Sequence, residues 1–322
     1  LTRFLALRLL QALAVLALVS VAVYGLIGLM PGDPIDLMVA SDPRLTPGDA
    51  ARLRALYGLD VPLWERYLNW AGAALSGDLG FSRLFARPVP EVVLPRLGNT
   101  LLLLVPAFAI ALALAFPLAL RAARAPGGAA DTAIGLLCFA GISMPPFWLA
   151  LLLMMLFAVH LGWLPAGGMG PPAGGGGARD LLAHMALPVA TLALLSVGGY
   201  TRYLRAGLLE QLRQDYVRTA RAKGASEGRV LWRHALRNAL LPVVTLVGLD
   251  LGTLVSGALV VETMFAWPGM GKLTFDAVMG NDYNLALACL LLATGTTLLG
   301  NLLADAGYAA LDPRVAFGAR RT

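Results

Sequence analysis

Charge is scarce in this sequence. Of 322 residues only 14% are Asp, Glu, Lys or Arg, where soluble domains average about 25%. Hydrophobic residues make up 58% and the mean hydropathy is +0.73. So few charges cannot keep a large surface wet, which excludes a disordered chain and argues against a soluble globular enzyme. Cysteine is nearly missing: Cys138 and Cys289 both lie in apolar runs, where a thiol behaves as a small hydrophobe, and no disulfide is expected. His160, His184 and His234 are the only histidines. They are too scattered to supply the three or four ligands of a zinc site, and no metal site is expected. Gly-x-Ser-x-Gly, His-Glu-x-x-His and any close Ser/His/Asp set are absent. Gly269-Met270-Gly271-Lys272 imitates a phosphate loop, but Ala266 stands where that loop needs Gly and Leu273 where it needs Ser or Thr. The sequence therefore carries no recognisable catalytic machinery and no ATP site.

What is present is a series of long apolar runs. A membrane helix needs about 20 apolar residues to cross roughly 30 Å of hydrocarbon. Candidate spans are 9–30, 99–120, 132–159, 185–204, 240–261 and 285–309. The first is longer than a signal-peptide core and no A-x-A site follows it, so a retained helix is expected. Pro106, Pro117, Pro145, Pro146, Pro188 and Pro242 interrupt the runs; inside a bundle such kinks are tolerated because neighbours satisfy the freed carbonyls. Six spans place both termini on one side. The expected fold is all-α and polytopic, with an extracytoplasmic insertion after the first helix.

The excess of 25 basic over 19 acidic residues gives +6 and a pI near 9.7. Such a balance can mark a nucleic-acid binder, but here the basic residues sit between apolar runs and mark cytoplasmic loops instead. The N-terminus, the 121–131 loop, the 202–239 segment and the tail hold 16 of them, against nine on the opposite side. Seven of those nine lie in the long 31–98 segment beside eight acids, and long segments count little in orientation. Both termini are read as cytoplasmic. Within 31–98, Trp64, Tyr67 and Trp70 recur on one helix face. That face either docks a partner, rests at the headgroup layer, or covers the core of a small outer subdomain. The Pro- and Gly-rich 164–179 stretch reads as an outer loop.

Ionisable residues inside spans are functional candidates by default. Asp250 lies about 12 Å into the fifth span, counting from Pro242. Asp305 lies near the inner end of the sixth, one turn from Asn301. Asp250, Asn301 and Asp305 are candidates for a translocation pathway. The competing reading is an interhelical pair, with Arg202 or Arg205 as partner.

The longest cytoplasmic loop, 206–239, reads as two short helices. Asp215 to Lys223 forms the first, Gly224 stops it with positive φ, and Ser226 caps the second. Tyr216, Thr219, Ala220 and Lys223 recur at helical spacing, and Ala220 and Gly224 are small enough for another surface to approach closely.

Asp215-Tyr216-Val217-Arg218-Thr219-Ala220-Arg221-Ala222-Lys223-Gly224 resembles the loop of bacterial ABC-importer permeases, closely that of the dipeptide/oligopeptide/nickel branch. The general pattern has Glu-Ala-Ala, three residues and Gly; here those positions are Arg218, Thr219 and Ala220, and the later Pro falls at Pro242. Glu262 through Leu273, Asp282-Tyr283, Asn301 through Asp305, Leu311 through Arg314, Leu56 through Asp60 and Gly77 through Gly80 resemble the same branch. The likeness spans nearly the whole chain. It implies the type I ABC-importer permease fold and a peptide substrate, with nickel or glutathione as alternatives. It further implies residues 1–98 as first helix plus outer segment, 99–309 as a five-helix core, and 310–322 as a cytoplasmic tail in a bacterial inner membrane. The implied partners are a second homologous permease, two ATP-binding subunits or domains and an extracytoplasmic solute-binding protein, besides the lipid bilayer. No cofactor in the chain and no nucleic-acid partner is implied. In the family the loop seats in a cleft of the ATP-hydrolysing subunit, which assigns coupling to Tyr216, Thr219, Ala220, Lys223, Gly224 and Ser226. The rival class is a secondary transporter carrying ions on Asp250 and Asp305; inverted repeats would favour it, and none is visible. A channel or structural subunit would leave the loop unexplained.

Overall fold

The computed structural model describes residues 2–28, 46, 48–49, 52, 61–171, 176–240, 243–244, 246–248, 250 and 258–311, with side chains from residue 5 to residue 307. Four helices in it are long and apolar enough to cross a membrane. They belong to α1 (Thr2–Gly28), α3 (Val89–Arg124), α6 (Ala178–Leu212) and α12 (Tyr283–Leu311). Their apolar portions run from 24 to 36 residues, each more than the roughly 30 Å of hydrocarbon requires at 1.5 Å per residue. Between α1 and α3 stand α2 (Leu63–Leu75) and a two-residue hairpin, β1 (Phe81–Ser82) paired antiparallel with β2 (Arg87–Pro88). The hairpin is the one departure from all-α among the described residues.

The expected 132–159 span is not one straight helix. α4 (Ala129–Ser143) and the helix Pro146–His160 meet at 103°. The latter begins as α5 (Pro146–Leu153) and widens into a π-helical stretch, Met154–His160. Pro146 bars helical geometry from the residue before it, and Pro145 is accordingly extended at φ −62, ψ 136. Neither arm alone exceeds about 23 Å, so the pair is a broken span or a re-entrant loop. By contrast α3 continues through Pro95, Pro106 and Pro117, as helices held by neighbours do. α3 also runs through residue 98, the expected boundary between outer segment and core. Half of the expected 240–261 span falls outside the described residues; 243–244, 246–248, 250 and 259–261 are helical.

The core follows the α3–α6 seam. Ala107, Ala111, Ala115 and Ala119 repeat every four residues on α3 and are all buried, small side chains that let a second helix come close. Val189, Ala193, Tyr200, Leu204 and Leu208 of α6 pack on that stripe. α1 stands apart from this seam and packs on α12, where Arg8 and Asp305 form an ion pair at 3.1 Å. Tyr24 of α1 meets Tyr67 and Trp70 of α2. Trp64, expected on the same face, is 66% exposed.

After α6 come α7 (Asp215–Ala222), α8 (Glu227–Arg229), a π-helical stretch Val230–Ala235 and α9 (Leu236–Ala239). At the opposite end of the seam α11 (Met270–Met279) packs against the start of α3, and α10 (Leu259–Met264) lays Val261 on Ala150 of α5 and Leu187 of α6. The beginning of the Gly-rich loop joins them, because Gly168 N–H donates to Phe265 C=O at 2.8 Å. That loop is therefore anchored where described; 172–175 lie outside the described residues, as do Leu56 through Asp60 and Asp312 through Arg314.

Candidate functional site

The loop after α6 is a helical hairpin closed by its own contacts. α7 buries Val217 and Ala220 against Val230, leaving Arg218, Thr219, Ala222 and Lys223 exposed. Its end is a Schellman motif: Ala225 N–H donates to Ala220 C=O at 3.1 Å and Gly224 N–H to Arg221 C=O at 2.9 Å. Gly224 takes φ +81, and a Cβ added there would meet nothing within 4 Å. The constraint at this position is conformational, not steric. Ser226 holds the N-cap conformation and its carbonyl accepts Val230 N–H at 2.9 Å. The expected side-chain cap is not made.

Tyr216 closes the hairpin. Its hydroxyl donates to Gln211 Oε1 at 2.8 Å and accepts from Asn238 Nδ2 at 3.2 Å, tying α7 to both the end of α6 and α9. Thr219 Oγ1 donates to Asp215 C=O at 2.9 Å. Arg221 spans the joint to α8 with a bidentate pair to Glu227, at 2.8 and 3.0 Å. The guanidinium hydrogen bonds hold the Glu227 carboxyl below its ordinary range and raise Arg221 in return. The structure thus separates the sequence candidates. Ala220 faces the chain's own core, while Tyr216, Thr219, Lys223, Gly224 and Ser226 remain exposed. Ala220 and Gly224 do not share a helical face, since Gly224 already lies in the turn.

The second feature is a groove of about 1090 Å³ between α4 and α6, bordered also by Leu246 and Asp250. Apolar walls (Phe139, Ile142, Leu195) carry a short polar row: Tyr200, Arg202, Tyr203, Arg205, Asp131 and Asp250. Tyr200 Oη donates to Asp250 Oδ2 at 2.5 Å. Arg205 grips Asp131 with both prongs of its fork, Nε to Oδ1 at 2.5 Å and Nη2 to Oδ2 at 2.6 Å. Asp131 also accepts Gly127 N–H at 2.8 Å. Arg205 is thus engaged by Asp131, the acid on α4, and Asp250 meets a tyrosine of α6. Asn301 and Asp305 do not line the groove; Asp305 pairs with Arg8 between α12 and α1. Among the described residues no three His, Cys, Asp or Glu gather in a way that could hold a metal.

Two buried carboxylates, quoted from the sequence only within family-like stretches and given no role there, fix the far end of the molecule. Glu262 is fully buried and accepts Thr100 Oγ1 at 2.6 Å and Lys272 N–H at 3.1 Å. Thr100 Oγ1 in turn accepts Met270 N–H at 2.7 Å. Trp267, also fully buried, donates its indole N–H to Asn99 C=O at 2.9 Å. A Cβ on Gly269 would lie 2.1 Å from Glu262 Oε1. The false phosphate loop is therefore a helix N-terminus of the kind that binds anions, filled by the chain's own carboxylate. Asp282 does the same for the hairpin, accepting Ser82 Oγ at 2.6 Å and Leu84 N–H at 2.9 Å. The signal available in sequence was the cluster Trp267-Pro268-Gly269 beside an acid in an apolar run; its partners, more than 160 residues away, were not.

Residues 115–317 match the family described as binding-protein-dependent transport system inner membrane component. The oligopeptide transport system permease protein AppB of Bacillus subtilis (strain 168) is 39% identical over 311 residues, covering 96% of this chain and 98% of that protein. The dipeptide transport system permease protein DppB of Escherichia coli (strain K12) is 38% identical over 319 residues, covering 92% and 94%. The glutathione transport system permease protein GsiC of Escherichia coli O6:H1 is 36% identical over 310 residues, covering 96% and 97%.

Proposed function

Because the chain belongs to the binding-protein-dependent transport system inner membrane components, a family of non-catalytic membrane subunits, we propose that it translocates peptides as one permease subunit of an ATP-driven importer. Its partners in this reading are a second homologous permease, two ATP-binding subunits or domains, and an extracytoplasmic binding protein that delivers the solute. The chain itself needs no cofactor. The observation that carries the reading is the exposed helical hairpin of α7 and α8, joined to the groove by the single helix α6. Tyr216, Thr219, Lys223, Gly224 and Ser226 meet the ATP-binding subunit, and α6 passes the resulting displacement to the Asp131, Arg205 and Tyr200 positions. The groove with Asp250 is the pathway surface; Asp305 fastens α12 to α1.

Six spans complete the topology, with 240–261 as the fifth and both termini in the cytoplasm. The basic-residue split supports this, and so does the Arg8–Asp305 pair, which brings the start of α1 to the late part of α12. Peptide as substrate rests on the AppB and DppB likenesses. Glutathione is the second reading, favoured by GsiC alone among the relatives described above. Co-purifying the solute-binding protein and identifying its bound solute by mass spectrometry tests the choice. Di- or oligopeptides are expected; glutathione or nickel would replace the substrate and leave the permease assignment standing.

A further inference from the structure

α2 is divided lengthwise into three sectors. One faces α1: Tyr67 and Trp70 pack on Tyr24 at centroid distances of 5.5 and 5.7 Å, and the Tyr67 hydroxyl lies 2.8 Å from Ser20 Oγ. A second is polar and carries Glu65 and Asn69. The third is apolar yet uncovered, with Trp64, Leu68 and Leu75 exposed by 66%, 58% and 91%. At 3.6 residues per turn those three side chains project within about 40° of one another.

Depth decides what this strip can meet. α2 crosses α1 at Ser20 and Tyr24, about 6–12 Å from the Gly28 end. The apolar part of α1, Leu5–Gly28, has 24 residues, or about 36 Å, somewhat more than the hydrocarbon is thick. With the excess shared between its two ends, the crossing lies about 3–9 Å below the hydrocarbon surface, close to the depth of about 5–10 Å at which interfacial helices bury their apolar face. α1 itself is a lipid-facing helix: only 6% of its most apolar window is buried, and Leu18, Val21 and Leu26 beside the crossing are 69%, 53% and 66% exposed.

We propose that α2 is an interfacial helix whose Trp64, Leu68 and Leu75 strip rests in the lipid headgroup–acyl boundary, continuing the lipid-facing surface of α1. Its occupant is lipid, because a water-borne partner would have to enter the headgroup layer to reach it. The strip offers one hydrogen-bonding group, the Trp64 indole N–H, and Trp is the side chain suited to that depth. The polar sector with Glu65 and Asn69 then faces water. α2 thus fixes the depth of α1, which stands outside the α3–α6 seam.

Site-directed spin labelling of the full chain in phosphatidylethanolamine/phosphatidylglycerol vesicles tests this. Single labels replace Trp64, Leu68, Leu75, Glu65 and Asn69 in turn, with Leu18→Cys as the lipid reference; Cys138 and Cys289 are buried and remain. Accessibility to oxygen relative to a water-soluble nickel chelate should be several-fold higher at 64, 68 and 75 than at 65 and 69, and close to that at 18. High nickel access at 64, 68 and 75 would place the strip in water and overturn the proposal. Low access to both reagents at those positions would place it under protein and overturn it equally. Because three positions are read independently, one misfolded variant does not decide the outcome.

Discussion

At the scale of single residues, the molecule spends its few buried charges on fastening. Glu262 is enclosed by Thr100 Oγ1, the α11 amides and Gly269, whose Cα leaves room for the carboxylate and nothing more. Gly269→Ala should therefore lower stability by about 1–3 kcal/mol, the usual cost of overpacking. Gly228→Ala, where a Cβ meets nothing within 4 Å, should change it little. Thermal unfolding of the purified chain in detergent compares the two; equal midpoints would remove the packing argument. In the groove, Asp250→Ala should depress transport more than assembly. Unchanged transport with a lowered unfolding midpoint would make the Tyr200–Asp250 contact purely structural. Of these features, sequence reasoning found the glycine stop at Gly224 and the unusual Asp250, because both stand out against local pattern. It could not find Asp131–Arg205 or Thr100–Glu262, since nothing local says which distant side chain a buried charge will meet.

At the scale of elements, the α7–α8 hairpin is where a fixed backbone conformation meets the proposed coupling surface. Gly224 at φ +81 suits no β-branched residue, and a left-handed non-glycine costs about 1–2 kcal/mol. Gly224→Val should leave the protein in the membrane while weakening pull-down of the ATP-binding subunits and lowering substrate-stimulated hydrolysis. Gly224→Asn, which tolerates this region better, should fall between Val and wild type. Lys223→Ala should have little effect, as exposed charges are worth about 0–1 kcal/mol. The Arg221–Glu227 pair adds a pH dependence. Because Arg221 depresses the Glu227 carboxyl, the pair is intact above the unfolded value near 4.5 and is lost as pH falls through the lower folded value. Amide exchange at Gly224 and Ala225, corrected for intrinsic rates, should accelerate across that fall in wild type and not in Glu227→Gln. Hydropathy made the long helices legible, but not the bend at Pro145. A proline in an apolar run reads the same whether neighbours hold the helix straight, as in α3, or let it turn by 103°.

At the scale of the whole molecule, the α3–α6 seam joins two differently built ends, one basic and helical, the other pinned by Glu262 and Asp282. Which end faces the cytoplasm is an expectation from the count of basic residues, the asymmetry that membrane insertion reads. Impermeant thiol labelling of Ser226→Cys and Ser76→Cys checks it. Position 76 should label from outside intact cells and position 226 only after lysis; the reverse pattern would invert the topology. The proposed function requires that this subunit move solute only when a separate ATP-binding subunit acts on the α7–α8 hairpin. The most direct measurement is uptake of labelled peptide into vesicles containing the chain with its permease partner and binding protein, with and without the ATP-binding subunits. Uptake should require those subunits and ATP, and should be indifferent to a proton gradient. Uptake that follows a proton gradient in their absence would contradict it.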